Sequence, residues 1–266
     1  MIFDTHAHYD DRQFDDDRDE LLLSMKKNNV GTIINVGASL EGCRRSVELA
    51  EQYPFVYAAV GVHPDEVGSL NEENLAWLLD TANTHKKVVA IGEIGLDYHW
   101  DIESREIQKQ WFIRQMELAR KANLPIIVHS RDASQDTFDL IAAYGQGLGG
   151  VIHCYSSSPE MAKEYVKMGY HIGIGGVVTF KNAKKLKETA VQIPLDCILL
   201  ETDCPYMAPT PYRGKRNNSI YIDYVAQEIA ALKGLTKNEV IAETEKNAER
   251  LFFEKESGLK IGGKNE

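Results

Sequence analysis

The sequence predicts an α/β fold, a single-domain (β/α)8 barrel of the TIM type, on three observations. Short β-branched runs alternate with helical periodicity along the chain, the pattern of a parallel sheet joined by crossover helices. Eight such runs occur, and 266 residues is close to the usual size of one such barrel. The runner-up, an open doubly wound sheet, more often carries a glycine fingerprint after its first strand, and none stands here.

Each element has its own signal. Ile2–His6 is strand one. Asp15–Asn28 is predicted helical, with Leu21, Leu22 and Met25 inward, and Gly31–Val36 is a buried strand. Leu40–Gln52 is helical and Phe55–Gly61 is strand three. Asn71, with acids behind it, is the N-cap of a helix through Thr81. Val88–Glu93 is strand four, followed by a long helix over Glu103–Ala122. Pro125–His129 is strand five, Ala133–Tyr144 a helix closed by Gly145, and Gly150–His153 strand six. Ser158 and Pro159 open a helix to Met168. Tyr170–Ile174 is strand seven, Asn182–Val191 a helix and Cys197–Glu201 strand eight. Helices over Ser219–Lys233 and Lys237–Phe253 finish the pattern, the second with capping-box spacing from Thr236 to Glu239. Residues 1–254 are predicted as one barrel domain and 255–266 as a polar tail that frays.

The bulk composition narrows the function. At 43% hydrophobic the chain can build a large core, and no apolar run approaches the roughly 18 residues of a membrane span. The chain starts inside a strand without a basic-then-apolar leader, which predicts no signal peptide. Cys43, Cys154, Cys197 and Cys204 lack C-x-x-C spacing, which fits free thiols in a reducing cytoplasm. A formal net charge of −10 argues against a passive nucleic-acid coat, because phosphate contacts dominate such binding. It leaves room for an enzyme whose phosphate contacts are local and assisted by cations. No membrane association and no obligate protein partner are expected.

The chemistry-bearing residues stand at the C-terminal ends of the predicted strands. Strand one gives His6 and His8, whose alternate spacing points both rings to one side. Strand three gives His63, strand four Glu93, strand five His129, strand six His153 and strand eight Asp203. In a barrel these ends meet at one mouth, where barrel active sites lie. Imidazoles and carboxylates suit borderline divalent metals, and this set exceeds what one open catalytic ion takes. It suits two divalent ions, Zn, Mn or Mg, sharing a carboxylate and stabilising an oxyanion on phosphorus or carbon. Glu93 is the bridging candidate, and Asp203 a ligand that could also take a proton from water. His85, His99 and His171 read as surface or structural residues.

The stretches DTHAH at 4–8, GVHP at 61–64, GEIGLDY at 92–98, PIIVHSR at 125–131, IHCYS at 152–156 and LLETDCPYMAP at 199–209 carry a resemblance. With GGVVTFKNAKKL at 175–186, RGKRN at 213–217 and NAERLF at 247–252, the chain resembles the TatD family of metal-dependent hydrolases, relatives of the amidohydrolases. The resemblance spans nearly the whole chain in the family's order. It implies a TIM-type barrel, a two-metal centre and hydrolysis of DNA phosphodiesters, with 3′–5′ exonuclease action on single strands as one form. It implies that His6, His8 and Asp203 bind one ion, that Glu93 bridges, that His129 and His153 bind the second, and that His63 contacts substrate phosphate. The chain departs where the family usually continues RGKRN with an acid and a proline; Asn218 and Ser219 stand there. The strand-four lysine of many amidohydrolases is replaced by Glu93.

Arg213, Lys215 and Arg216 follow strand eight in one loop and are predicted to hold substrate phosphates. Tyr98 and Tyr155 follow ligand-bearing strands and are candidates to stack on an unpaired base. The expected activity is a metal-dependent deoxyribonuclease. The alternative keeps the metals but hydrolyses small amides, lactones or other esters, including aminoacyl esters of tRNA, and needs no phosphate-binding loop. A non-catalytic scaffold with a structural metal is a third reading, opposed by the surplus of ligands.

Overall fold

The apolar runs form strands buried on both faces, as parallel strands covered by helices must be. The computed structural model describes residues 1–100 and 102–254. The strands are β1 (Ile2–Ala7), β2 (Val30–Val36), β3 (Val56–Val60), β4 (Val88–Asp97), β5 (Ile126–Arg131), β6 (Gly150–Ile152), β7 (Tyr170–Ile174) and β8 (Ile198–Leu200). Each pairs in parallel with the next in chain order. The ring closes where the chain leaving β8 returns to β1: Asp203 donates its N–H to the His6 carbonyl at 2.9 Å, and His8 donates to that of Cys204 at 2.9 Å. The architecture is the predicted (β/α)8 barrel. Phe3, Ile34, Val89, Ile127, Val151 and Leu199 pack in one buried cluster, with Phe252 of the last helix against it.

The helices are α1 (Arg18–Leu23), α2 (Leu40–Gln52), α3 (Glu72–Thr84), α4 (Arg105–Ala122), α5 (Ser134–Tyr144), α6 (Pro159–Lys167), α7 (Lys184–Gln192), α8 (Ile222–Lys233) and α9 (Lys237–Phe252). The predicted caps form: the side chain of Asn71 accepts from Asn74 N–H, that of Ser158 from Met161 N–H, and Thr236 and Glu239 make a full capping box. The chain over 15–28 is less helical than predicted. It breaks into α1 and short 3-10 turns at Arg12–Phe14 and Lys26–Asn28, and Asn29 turns left-handed. The Ser24 hydroxyl donates back to the Leu21 carbonyl at 2.7 Å, where a further helical turn would need that group.

The consequential difference lies in β4. It runs ten residues to Asp97 and is buried throughout, so Glu93 sits inside it and not at its end. The register against β5 shifts between Ile91 and Ile94, bracketing Glu93. Gly95, with φ at 149°, lies against the His129 carbonyl oxygen, where a Cβ has no room. The expected fraying tail, 255–266, lies outside the described residues.

Candidate metal centre

β1, β4, β5 and the segments after β6 and β8 bring six sequence-predicted side chains together. His6 Nε2 and His8 Nε2 face each other at 3.0 Å. Glu93 Oε2 lies 3.5 Å from His6 Nε2 and 3.8 Å from His8 Nε2. Asp203 Oδ1 lies 3.4 Å from His8 Nε2 and 3.8 Å from His6 Nε2. The other Glu93 oxygen, Oε1, lies 2.7 Å from His129 Nδ1 and 3.0 Å from His153 Nε2. One carboxylate therefore turns each oxygen to a different group of ligand atoms.

Hydrogen bonds behind the rings fix which nitrogen faces inward. A carbonyl can only accept, so His8 Nδ1 donates to Val36 O at 2.8 Å and its Nε2 presents a lone pair to the centre. His129 Nε2 lies 3.0 Å from Asp97 Oδ2, an acceptor when ionised, so Nδ1 is the free lone pair and confronts Glu93 Oε1. Asp97 is itself held, accepting His99 N–H at 2.8 Å, while Gln108 clasps its backbone at both ends. His153 turns Nδ1 toward Glu201 Oε1 at 3.6 Å, and Glu201 accepts the Cys154 N–H. His6 Nδ1, His153 Nδ1 and Glu201 Oε2 are buried without a hydrogen-bond partner among the described residues.

Such a set fits divalent cations. Lone pairs and carboxylate oxygens face one another at 2.7–3.8 Å, an arrangement that repels unless a positive charge lies between them. The titration of the ring nitrogens shows the same demand. Burial opposes a charged ring, yet Asp203 and Glu93 push His8 up to about 9. Burial is likewise outweighed at His153, which Glu93 and Glu201 raise well above the usual imidazole range, and at His129, raised by Asp97 and Glu93. Glu93 stays well below the carboxylate range, because His153, His6 and His129 overcome its burial. His6, His8 and Asp203 converge, as do His6, Glu93 and His153, and so do His63, Asp97 and His129. The third group differs in kind. His63 Nδ1 accepts the Asp65 N–H at 3.2 Å, which leaves the proton on Nε2, and the His129 proton points at Asp97. With the His129 proton already accepted by Asp97, that cluster leaves the His63 Nε2–H to donate, which suits an anion's oxygen better than a cation. Burial, then His129, lowers His63 to about 4, so the ring is neutral near pH 7.

A cavity of about 300 Å³ opens beside the centre, lined by His129, His153 and Asp203 together with the apolar Val177, Leu186 and Met207. The predicted substrate residues divide. Lys215 is exposed, and the Arg213 guanidinium lies 4.4 Å over the Phe180 ring. Arg216 is spent elsewhere: it pairs with both Asp17 oxygens, donates to Gln13 O and covers Phe14, strapping its loop to the chain after β1. The stacking candidates also fail on geometry. Tyr155 is 3% exposed with its hydroxyl donated to Ser158 O, and Tyr98 donates to Asp136 Oδ2 with Arg105 over its ring. Each follows a ligand-bearing strand, but apolar packing turns both inward. Cys154 lines the cavity, but burial pushes its thiol up to about 12, so it is no nucleophile.

Sequence reasoning missed Asp97 and Glu201. Each stood in plain view at an even spacing from a chosen ligand, Glu93 to Asp97 and Glu201 to Asp203, and same-face periodicity along an extended strand was the available signal. It also missed Asp4, whose carboxylate ties β1 to the chain after β8. Asp4 accepts from His6 N, Thr202 N, Thr202 Oγ1 and Ser219 Oγ. Ser219, at a position where the sequence departs from the family pattern, thus anchors its loop directly beneath the centre.

A (β/α)8 barrel with imidazoles and carboxylates gathered at its mouth defines a metal-dependent hydrolase. The chain belongs to the TatD family: the family model described as TatD related DNase matches residues 3–253. It is 47% identical over 253 residues to an uncharacterized metal-dependent hydrolase, YabD, of Bacillus subtilis, covering 95% of this chain and 99% of that one. It is 32% identical over 263 residues to a protein of Cronobacter sakazakii named 3′-5′ ssDNA/RNA exonuclease TatD, covering 96% and 99%. Among solved structures, YJJV, a TatD homolog from Escherichia coli, superposes with a TM-score of 0.88 at 32% identity, covering 94% of this chain and 97% of that one. No helix among the described residues is long and apolar enough to cross a membrane.

Proposed function

We propose that this hydrolase cleaves phosphodiester bonds of single-stranded DNA, removing nucleotides from the 3′ end, with two divalent ions. The observation that carries the reading is the division of Glu93, one oxygen toward His6, His8 and Asp203 and the other toward His129 and His153. In this reading His6, His8 and Asp203 would hold one ion, His129 and His153 the other, and Glu93 would be shared. Bound there, the ions would lower the pKa of a water and neutralise charge developing on the phosphate. Asp203 keeps one oxygen on the ligand group and offers its other to the proton released by the attacking water. Its acidity favours the ionised form, since His8 outweighs the effect of burial. His63, with its proton on Nε2, donates to a phosphate oxygen and needs no positive charge to do so. Lys215 and Arg213 receive the next phosphates along the strand, while Arg216 fixes the loop that carries them. The exonuclease name of the Cronobacter relative supports the substrate class.

The test incubates 5′-labelled single- and double-stranded oligonucleotides with the protein and Mg²⁺, Mn²⁺ or Zn²⁺, with chelator controls. Chelator-sensitive shortening of the labelled single strand from its far end supports the reading. Intact DNA under all three ions, beside turnover of a lactone, amide or aminoacyl-ester panel, replaces it with a small-ester or amide hydrolase.

A further inference from the structure

Arg131, the last residue of β5, lies two positions beyond His129 and lines the cavity beside the centre. Its guanidinium is 5.3 Å from the centroid of the Trp100 ring. Trp100 belongs to the loop that leaves β4, the strand carrying Glu93 and Asp97. That loop is pinned to β5 at its base, where Tyr98 donates its N–H to Arg131 O at 2.9 Å. Trp100 is 58% exposed, a large apolar surface beside an arginine that lines the mouth. It is also held in place: His99 meets it edge-on at 4.8 Å and 88°, and His99 is itself hydrogen-bonded to Asp132 at 3.0 Å. A fixed, exposed aromatic face beside a guanidinium is what proteins offer to an unpaired base and its phosphate, because every base has a π-face and stacking needs no sequence. Tyr98 and Tyr155 commit their hydroxyls to Asp136 and Ser158 and pack against the core, whereas Trp100 keeps an open ring.

We propose that Trp100 is a stacking platform for one unpaired nucleobase of the substrate strand, with Arg131 steadying the ring and facing the adjoining phosphate. The inference rests on the nucleic-acid reading above and deepens it. It assigns recognition of a base, not only of phosphates, to the β4–β5 side of the rim. It accounts for a preference for single strands, since a base within a duplex has no free face to give.

The experiment compares wild type, Trp100→Ala and Trp100→Phe on a single-stranded oligonucleotide and on a series in which one abasic position is moved along the strand. Trp100→Ala is expected to raise KM about tenfold with kcat within about twofold, and Trp100→Phe, which keeps a π-face, to recover most of the loss. One abasic position should raise the wild-type KM to the alanine variant's value and leave that variant unchanged. A Trp100→Ala enzyme that cleaves DNA with the wild-type KM overturns the inference alone. So does a penalty that persists undiminished on every abasic substrate, because the ring would then be supporting its loop. Wild-type protein that cleaves no DNA overturns the nucleic-acid reading and the inference with it.

Discussion

Asp4 on β1 and Glu93 on β4 are both buried carboxylates, 0% and 4% exposed, and they meet opposite surroundings. Asp4 is ringed by donors: two backbone N–H groups and two hydroxyls reach its oxygens at 2.6–3.2 Å. Nothing is left for it to bind, and burial still raises it to about 7. Glu93 is ringed by imidazole nitrogens, of which those on His8 and His129 are lone pairs by the hydrogen bonds behind them. A buried acid satisfied by N–H and O–H groups joins parts of a fold. A buried acid facing other acceptors is completed only by a cation. The two lie within one barrel mouth, so burial and residue type cannot tell them apart; their partners can.

Substitution of each acid should break a different property. Glu93→Ala is expected to lower kcat at least about a thousandfold and to reduce bound metal at both positions, measured by elemental analysis after dialysis. In chelator its melting temperature should fall less than that of the Asp4 variant. Two fully occupied ions in Glu93→Ala would remove the bridging role. Asp4→Ala removes the acceptor shared by the Thr202 and Ser219 hydroxyls and two backbone N–H groups, and should cost about 3 kcal/mol of stability. Denaturant titration reads that loss, and metal content should stay near wild type at temperatures where the variant is folded. An Asp4 variant with full stability and a lost ion would reverse the contrast.

Asp97 stands between these cases, an acid that acts on the centre through His129. Replacing it with Asn keeps the shape but removes the charge that favours a proton on His129 Nε2. The expected result is a loss of about ten- to a hundredfold in affinity at the His129 position, read by calorimetric metal titration, with the His6–His8 position unaffected. Equal weakening at both positions would mean that Asp97 supports β4 as a whole. The same titration tests the third convergence of ligands, His63, Asp97 and His129, where wild-type protein should take up two ions and no third.

What the sequence disclosed follows from what alternates. Strand and helix periods, caps at Asn71, Ser158 and Thr236, and the strand-end histidines were legible because each depends on near neighbours. Glu93 reads in the sequence as a strand-end residue and is mid-strand, because β4 continues to Asp97 through a register shift that only its pairing with β5 reveals. Arg216 looked like a phosphate ligand because its true partner, Asp17, lies 199 residues away. Tyr98 and Tyr155 looked exposed because loop membership says nothing of which way a ring turns. The misses at Glu93, Arg216 and Tyr98 turn on partners distant in sequence, whereas Tyr155 donates to Ser158 three residues on and is hidden by core packing.

His171 supplies the smallest contrast, at the opposite end of the strands from the metal centre. It is the second residue of β7, where the sequence predicts a structural role, and its Nδ1 is buried without a partner among the described residues. Burial, followed by the nearby Arg250 guanidinium, lowers it to about 4, with a hydrogen bond to the Gly150 backbone and then Asp196 only partly offsetting them. A ring held neutral in the folded chain and free to protonate when unfolded contributes fully above pH 6.5 and loses that contribution as pH falls toward 4. At pH 6 the loss should be about 1 kcal/mol relative to pH 8. Replacing the ring by an uncharged amide, His171→Gln, should shrink the difference in unfolding free energy between those two pH values by that amount, measured by denaturant titration of metal-free protein. An unchanged pH dependence would mean that the ring gains a proton in place, and that acid sensitivity resides in the other rings burial lowers, His6 and His63.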